Sequence, residues 1–400
     1  MTLHAGDRVV RGACPHDCPD TCAFIYDVKN GKLVDVTGDP DHPMTRGGLC
    51  VKLNGFAEHH YNPNRLLSLF VYNSNPVSQA PAQAKIVQGL QREDLFMVVS
   101  ELFITDTARY ADILLPATMQ GEQYDLMVTW GHLYMMLNQP AISAPGECIP
   151  NVELFRRLAK TMGFDDAYWD MTDDEMLLEF YDWDSPQLQG ITLDLLKEKG
   201  YMRLNVGAPD KRVPHAEGNF KTPSGKCEFK SSAAANGNFV VPVWRSMYEG
   251  MQPGEPIDPL PDYIPPYESP GSNPDLAKRY PLSIVSPKPH AFLNTQYGNE
   301  ERQRGRQGEQ KILIHPTDAR QRNIGNGTVV RVFNDRGAFE GLAELSEDLM
   351  PGLVMANVGY WPSLNRSGTS VNSISSDKHC TFGQAGSYSD NLVEVAVAEV

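Results

Sequence analysis

Four cysteines near the N-terminus are the residues whose type and spacing most directly indicate chemistry. Cys14, Cys18, Cys22 and Cys50 follow the spacing C-x3-C-x3-C-x27-C. Three thiols in one short loop and a fourth from a distant loop can surround a compact cluster, and thiolates select iron–sulfur clusters or zinc over hard cations. The three-plus-one grouping favours a [4Fe–4S] cube held by these four side chains.

Three other uses of these cysteines fit the sequence less well. A structural zinc site usually pairs two short cysteine knuckles, which this spacing does not provide. A disulfide framework needs a secretory context, of which the sequence shows no sign. A radical-type cluster with three ligands would leave Cys50 without a role. Cys148, Cys227 and Cys380 are isolated in sequence and form no ligand set.

Composition narrows the classes of partner. The 400 residues carry a formal net charge of −15, and 41% are hydrophobic, as in a globular protein of two or three domains. Such an acidic chain is not expected to bind nucleic acid or an anionic membrane. No apolar run reaches the ~20 residues of a membrane helix, and the segment 1–10 resembles no export signal. These features predict a cytoplasmic protein.

The elements around the cysteines are short. Residues 24–28 and 33–36 predict two strands joined by a turn at Asn30-Gly31. A short helix is expected within 51–60. Lys52 follows the fourth cysteine by two positions, and it is either an ordinary surface lysine or an electrostatic bridge from the cluster to a second cofactor.

The next region has an α/β pattern. Apolar runs at 69–72 and 96–100 predict buried strands, and polar residues follow each of them: Asn75 after the first, then Glu101 and Thr105 after the second. Loops at the carboxyl edge of a parallel sheet commonly bind nucleotides. A solvated loop acid at Glu101 and a helix cap at Thr105 are the alternatives.

Helices follow in the middle of the chain. Asn151 is expected to cap a helix over 152–162, and Thr172 with Glu175 forms the pattern of a capping box. Proline-rich sequence at 251–274 predicts a connection without regular structure.

From about residue 280 the chain alternates short strands and turns, which favours a β-barrel. A polar loop with His290, Asn294 and Thr295 follows the first of these strands. A lone histidine is usually a surface residue, so His290 is of interest only because of its neighbours.

Taken in order, these segments resemble the molybdopterin oxidoreductases of the formate dehydrogenase and dimethyl sulfoxide reductase superfamily. The resemblance implies an α/β plus β architecture: a small N-terminal iron–sulfur domain, a partial α/β dinucleotide-binding domain with helices, and a C-terminal double-psi β-barrel. The segments that support it are the cysteine loop with Cys50-Val51-Lys52, Tyr61–Leu67, Tyr72–Pro76, Thr105–Pro116, Thr222–Lys226 and His315–Ala319.

The resemblance also implies domain boundaries. A cluster domain is expected over 1–65 and the shortened α/β region over 66–250. A proline-rich linker over 251–279 and the dinucleotide-binding barrel over 280–400 would complete the chain.

Cofactors and their contacts follow from the same resemblance. The family binds one [4Fe–4S] cluster, and molybdenum or tungsten held by molybdopterin guanine dinucleotide. Lys52 would lie between cluster and pterin as the electron relay. The residues that match pterin dinucleotide contacts are Asn75, Glu101, Thr105, His290, Asn294, Thr295, Asn372 and Tyr388.

One departure from the family bears on activity. Several hundred residues normally separate the motifs that end at Leu67 and begin at Tyr72 here, and the missing piece carries the protein ligand of the metal. Two hypotheses follow. The chain is an oxidoreductase that exchanges electrons with a small-molecule substrate, or it is a non-catalytic iron–sulfur or pterin-binding carrier or half-enzyme. An electron-transfer protein or a completing subunit is the expected protein partner.

Overall fold

A computed structural model describes ten segments of the chain, and they fall into two compact units. The described residues are 8–13, 22–30, 32–50, 55–61, 67–208, 210–237, 256–261, 263, 266–378 and 385–399. The N-terminal unit comprises Met1–Leu67 with Lys230–Tyr267, and the larger unit comprises Ser68–Phe229 with Glu268–Val400. The domain boundaries expected from the sequence stay predictions.

A small antiparallel sheet forms the N-terminal unit. Its strands are β1 Arg8–Ala13, β2 Ala23–Lys29 and β3 Lys32–Gly38, in the order β1-β2-β3. Asn30 has φ 49°, the left-handed conformation that a tight turn requires, so the predicted hairpin is confirmed. Helix α1 is Phe56–His60, and residues 51–54 of the expected helix lie outside the described residues. Its Phe56 packs on the fully buried Phe24, with ring centroids 5.5 Å apart.

The larger unit begins with an open three-stranded sheet. Its elements are β4 Leu67–Tyr72, α2 Pro76–Gln79, α3 Gln83–Leu90, β5 Leu95–Glu101 and β6 Ile113–Pro116. The strand order is β4-β5-β6, and β5 and β6 run parallel, as the α/β pattern predicts. Asp112 fixes the turn into β6 because its Oδ2 accepts a hydrogen bond from the Met97 amide at 2.7 Å.

A second antiparallel sheet and three helices follow. They are β7 Asp125–Val128, β8 Tyr134–Asn138, α4 Asn151–Met162, α5 Asp173–Phe180, α6 Leu193–Lys199 and β9 Tyr201–Arg203. Met135 and Leu196 are buried at the centre of this layer. The capping box of Thr172 and Glu175 is confirmed.

The predicted cap at Asn151 is wrong. Pro150 occupies the cap position, and Asn151 is the first residue of α4. The Asn151 side chain instead donates from Nδ2 to Asn73 Oδ1 at 3.1 Å. An asparagine at a helix start is therefore used here for a contact between distant segments.

The chain then adds α7 Ser232–Ala235 to the N-terminal unit and returns to the larger unit at α8 Pro274–Arg279. A closed six-stranded barrel follows, with strand order β10-β14-β11-β13-β12-β15. Its elements are β10 Leu282–Val285, α9 Glu301–Gln307, β11 Lys311–Ile314, α10 Pro316–Gln321, β12 Val329–Asn334, β13 Gly337–Leu345, β14 Leu353–Ala356 and β15 Asn391–Val397.

Alternating side chains fill the barrel interior. Ile284, Ile312, Val332 and Val354 are fully buried, whereas their strand neighbours face outward. Such alternation lets one short strand contribute to the core and to the surface at once. The expected β-barrel is confirmed as a closed six-stranded barrel, and its double-psi topology stays a prediction.

Candidate functional site

A cavity of about 330 Å³ lies in the larger unit where the loops after β4 and β5 meet the loop after β10. Four of the sequence-predicted binding residues line it together: Asn75, Glu101, Thr105 and Thr295. Small-molecule sites are concave and begin at about 300 Å³. The cavity is therefore large enough for one end of a nucleotide.

Asn75 has an unsatisfied donor at this cavity. The residue is 3% exposed, and its Oδ1 accepts hydrogen bonds from Thr107 Oγ1 at 2.7 Å and from the Thr107 amide at 3.3 Å. Its Nδ2 is buried and has no hydrogen-bond partner among the described residues. Because the oxygen is committed to Thr107, the amide orientation is set. An acceptor on a bound molecule would remove the cost of the unpaired N–H group.

Glu101 places a half-buried carboxylate at the same cavity. Burial raises the pKa of this side chain, and a hydrogen bond from the Leu102 amide to Oε1, at 2.7 Å, partly offsets the effect. The carboxylate is therefore only partly solvated, and its role toward a cofactor stays a prediction. A partly desolvated carboxylate is a strong acceptor for N–H groups.

Thr105 serves two purposes. Its Oγ1 accepts a hydrogen bond from the Ala108 amide at 3.1 Å, although Thr107, and not Thr105, occupies the cap position of the short helical turn Ala108–Tyr110. The same residue lines the cavity. This hydrogen bond connects the cavity wall to the start of that helical turn.

A set of buried polar contacts joins this sheet layer to the barrel, and we call it the polar seam. Gln79 Nε2 donates to Thr295 Oγ1 at 2.9 Å. Asn372 Nδ2 donates to the carbonyl oxygens of Ser78 at 2.9 Å and Gln79 at 3.0 Å. Asn372 does not line the cavity but positions helix α2, which follows Asn75 directly. The seam comprises Ser78, Gln79, Gln83 and Asp106 on the sheet side and Thr295, Ser363, Ser370 and Asn372 on the barrel side.

The loop after β10 is held closely against the loop after β14. Trp361 Nε1 donates to the Thr295 carbonyl at 2.7 Å. Gly359 has φ +96°, and a Cβ at this position would lie 2.1 Å from the Asn294 carbonyl oxygen. Only glycine fits there. Trp361 and Gly359 had no signal in the sequence, because their importance comes from a loop more than sixty residues away along the chain.

The other predicted contacts lie elsewhere. The side chains of His290, Asn294 and Tyr388 are exposed, and none of the three lines the cavity. Their roles toward a cofactor stay predictions, as does that of Asn372. Sequence reasoning missed Asn73, Gln120 and Asn299, which supply further polar groups to the wall. Of these, Asn73 belonged to a recognisable polar run after a strand.

The cysteine site is described only in part. Cys14, Cys18 and Lys52 lie outside the described residues. Cys22 is half-buried and packs with Leu49, the neighbour of Cys50, on the core of Phe24 and Phe56. The loops of the third and fourth predicted ligands therefore share one small apolar core. In the part of the chain that the structure describes, no group of three or more His, Cys, Asp or Glu side chains could hold a metal.

None of the helices in the described ranges combines the length and apolarity needed to cross a bilayer.

Comparison with protein-family models connects these segments to one family. Residues 7–62 match the molybdopterin oxidoreductase Fe4S4 domain, residues 48–161 match molybdopterin oxidoreductase, and residues 282–392 match the molydopterin dinucleotide binding domain. The chain belongs to the molybdopterin oxidoreductase family. The predicted family and the predicted cofactor classes, a [4Fe–4S] cluster and molybdopterin guanine dinucleotide, are confirmed. These matches do not favour a non-catalytic carrier.

Individual relatives agree with the family assignment. The probable oxidoreductase YoaE of Bacillus subtilis is 32% identical over 82% of this chain and 44% of its own length. The dimethyl sulfoxide reductase DmsA of Escherichia coli is 29% identical over 80% of this chain and 40% of its own length. Trimethylamine-N-oxide reductase 1 of Escherichia coli is 26% identical over 88% of this chain and 40% of its own length. This molybdopterin oxidoreductase chain thus spans less than half the length of these relatives.

A solved structure supports the fold. Acetylene hydratase from Pelobacter acetylenicus aligns with a TM-score of 0.63 over 86% of this chain and 46% of that protein, at 21% identity. Within the family chain, the cavity lies where two matched modules meet. Asn75, Glu101 and Thr105 belong to the second matched segment, and Thr295 belongs to the third.

Proposed function

We propose that this chain works as a molybdopterin-dependent oxidoreductase and that the cavity holds the guanine end of the pterin dinucleotide. The single observation that carries the proposal is the buried, unpartnered Asn75 Nδ2 in a cavity that the half-buried Glu101 also lines. A donor and an acceptor that line one cavity match the mixed hydrogen-bonding edge of guanine.

The fit is chemical and selective. Guanine presents an amino donor and a carbonyl acceptor, whereas adenine presents its amino group in place of that carbonyl. Glu101 accepts from the N–H groups of guanine, and Asn75 donates to an acceptor on the same molecule. With adenine, at least one of these two groups would stay unpaired in a partly buried site, which costs about 1–3 kcal/mol.

The remaining residues position these groups. The polar seam connects helix α2, which follows Asn75, to Thr295 and Asn372 on the barrel side, so hydrogen bonds hold both walls of the cavity. Such preorganisation reduces the ordering cost of binding. In this proposal the barrel has the double-psi topology, and His290 and Asn294 extend the binding surface along its loop.

The cofactors supply the electron chemistry when bound, and the protein binds and orients them. In this proposal Cys14, Cys18, Cys22 and Cys50 would hold the [4Fe–4S] cluster, and Lys52 would act as the electron relay to the pterin. Cys22 and Leu49, the neighbour of Cys50, pack on one apolar core, which supports a single cluster site formed by the two cysteine loops. Relatives named for dimethyl sulfoxide and trimethylamine N-oxide suggest a small oxidised molecule as the substrate class.

Guanosine diphosphate and adenosine diphosphate test the cavity without the full cofactor. Calorimetric titration should show guanosine diphosphate binding about tenfold tighter, a preference of ~1.4 kcal/mol. Glu101→Gln should remove most of that preference. Glu93→Gln, a change at an exposed residue just before β5, is the matched control and should leave it unchanged.

Equal affinity for the two nucleotides would contradict the assignment of the cavity.

The redox part of the proposal has a separate test: protein prepared without oxygen is assayed for iron, sulfide, molybdenum, tungsten and guanine nucleotide. Iron together with molybdenum or tungsten supports the oxidoreductase, whereas zinc or no metal would overturn it.

A further inference from the structure

A second cavity, of about 390 Å³, lies beside the barrel on the surface formed by α9, the residues just before β11, β13 and the loop after β14. Its wall includes Gln310, Glu340, Tyr360 and Trp361. Trp361 also borders the first cavity, but none of the sequence-predicted binding residues lines the second. Nothing in the proposed function uses this space.

Gln310 gives the cavity a defined chemical requirement. The residue is 4% exposed, and its Nε2 donates to the Lys311 carbonyl at 3.1 Å. Its Oε1 is buried and has no hydrogen-bond partner among the described residues. The amide cannot simply be reversed, because the oxygen would then face the Lys311 carbonyl. A buried acceptor at a cavity wall calls for a molecule that donates an N–H or O–H group.

Charge around the cavity favours a cation. Glu301, Glu309 and Glu340 line it, against Arg304 and Arg366. Arg366 Nη2 contacts both carboxylate oxygens of Glu309, at 3.0 and 2.9 Å, so this pair largely cancels. The remaining groups leave an excess of one negative charge.

The walls also suit a flat or compact organic group. Tyr360 and Trp361 are both buried aromatic residues, and aromatic faces attract cations at about 6 Å or less. Gly341 keeps β13 close to Gln310, since a Cβ there would lie 2.5 Å from the Gln310 carbonyl oxygen. The cavity therefore combines a buried acceptor, aromatic surface and negative charge.

We propose that this second cavity binds a small organic cation with N–H donors, of the guanidinium or alkylammonium class. The side-chain oxygen of Gln310, Oε1, accepts a hydrogen bond from one N–H group at the base of the cavity. The Glu340 carboxylate balances the positive charge of the ligand. The two cavities share Trp361, but neither Gln310 nor Glu340 lines the first cavity or takes part in the polar seam.

Ethylguanidinium and ethylurea provide a matched pair of probes, since they share shape and N–H donors but only the first is charged. Titration of the full chain at low ionic strength, followed by saturation-transfer NMR, measures both affinities. We expect ethylguanidinium to bind at least about tenfold more tightly, because hydrogen bonds and contacts to a charged group contribute more than neutral ones.

Variants then locate the site. Gln310→Met keeps the shape and removes the acceptor, so it should weaken ethylguanidinium binding about tenfold. Gln139→Met is the matched control, because Gln139 Nε2 also donates to a backbone carbonyl, that of Lys197, but at an exposed position outside the cavity. Gln139→Met should bind ethylguanidinium with the affinity of the unmodified chain.

Glu340→Gln protects the test against a folding defect in Gln310→Met. It should weaken ethylguanidinium and leave ethylurea unaffected. Equal binding of the two probes would overturn the assignment of a cation. Undiminished ethylguanidinium binding in both Gln310→Met and Glu340→Gln, or no binding to the unmodified chain, would show that water alone satisfies Gln310 and would overturn the site.

Discussion

The barrel and the open sheet of the larger unit solve the same packing problem in different ways. The barrel closes on itself, and Ile284, Ile312 and Val354 are 0% exposed in its interior. The sheet β4-β5-β6 has two free edges within the described residues and a small core of Val71, Met97, Val99 and Ala108. Burial of apolar side chains stabilises the barrel, whereas the sheet β4-β5-β6 also depends on its contacts with neighbouring elements.

This difference explains where the cavity lined by Asn75 and Glu101 lies. A closed barrel leaves few backbone groups unpaired, so its interior offers no hydrogen-bonding capacity to a ligand. The sheet is joined to the barrel through the polar seam, whose buried amides and hydroxyls are arranged by long-range contacts. At such a boundary polar side chains, and not neighbouring strands, form the hydrogen bonds to the backbone. Polar side chains are therefore present there that can also bind a ligand.

The largest expected effect tests the comparison directly, with Ile312→Ala in the barrel and Ile113→Ala in strand β6. Ile312 is 0% exposed and Ile113 is 43% exposed. We expect Ile312→Ala to lower the free energy of unfolding by about 2–5 kcal/mol, since it leaves a cavity. Ile113→Ala should cost under about 1 kcal/mol. Urea denaturation measures both, and similar losses would mean that the sheet edge is buried in solution.

A smaller effect is expected in the loop that connects the barrel to the cavity, with Gly359→Ala. A matched control is Gly368→Ala, because both glycines have positive φ but a Cβ at Gly368 meets nothing within 4 Å. The clash with the Asn294 carbonyl should make Gly359→Ala less stable than Gly368→Ala by about 1–3 kcal/mol. Thermal unfolding compares the two. Equal losses would show that the loop after β10 shifts without cost.

The polar seam is tested with Asn372→Ala. This change leaves the carbonyl oxygens of Ser78 and Gln79 without their donor, and we expect a loss of about 1–3 kcal/mol in the free energy of unfolding. Affinity for guanosine diphosphate should fall as well, because α2 and Asn75 lose their anchor. Asn357→Ala, which removes one exposed bond to the Pro287 carbonyl, is the control and should cost under ~0.5 kcal/mol. Unchanged nucleotide affinity in Asn372→Ala would separate the seam from the cavity.

The smallest effect concerns pH and Glu101. Burial raises the pKa of this carboxylate in the folded chain. Its protonated form loses an acceptor, so affinity for guanosine diphosphate should decline as pH falls through the raised pKa. Without nucleotide the sign is opposite: the folded state holds the proton more tightly, so acidification through this range favours folding and rising pH removes that contribution. Titration between pH 7 and 4 measures both, and Glu101→Gln should abolish both. A parallel decline of affinity in Glu101→Gln would assign the effect to another group.

Local patterns were readable from the sequence because they depend on near neighbours. Asn30 predicted a turn, Thr172 and Glu175 predicted a capping box, and alternating apolar residues predicted the barrel strands. Asn151 was misread because its side chain contacts Asn73 across 78 positions of sequence, and a cap and a distant contact look the same in one dimension.

Motif spacing and strand periodicity are local properties, so the amino-acid sequence was enough to predict the family, the two cofactor classes and the order of an α/β region followed by a β region. Only the tertiary structure brought Asn75, Glu101 and Thr105 to the same cavity as Thr295, with a contact between Gln79 and Thr295 that spans 216 positions. The tertiary structure was also needed to identify the buried, unpaired amide groups of Asn75 and Gln310. Burial decides whether a polar atom lacks a partner, and burial is a property of packing that no stretch of sequence contains.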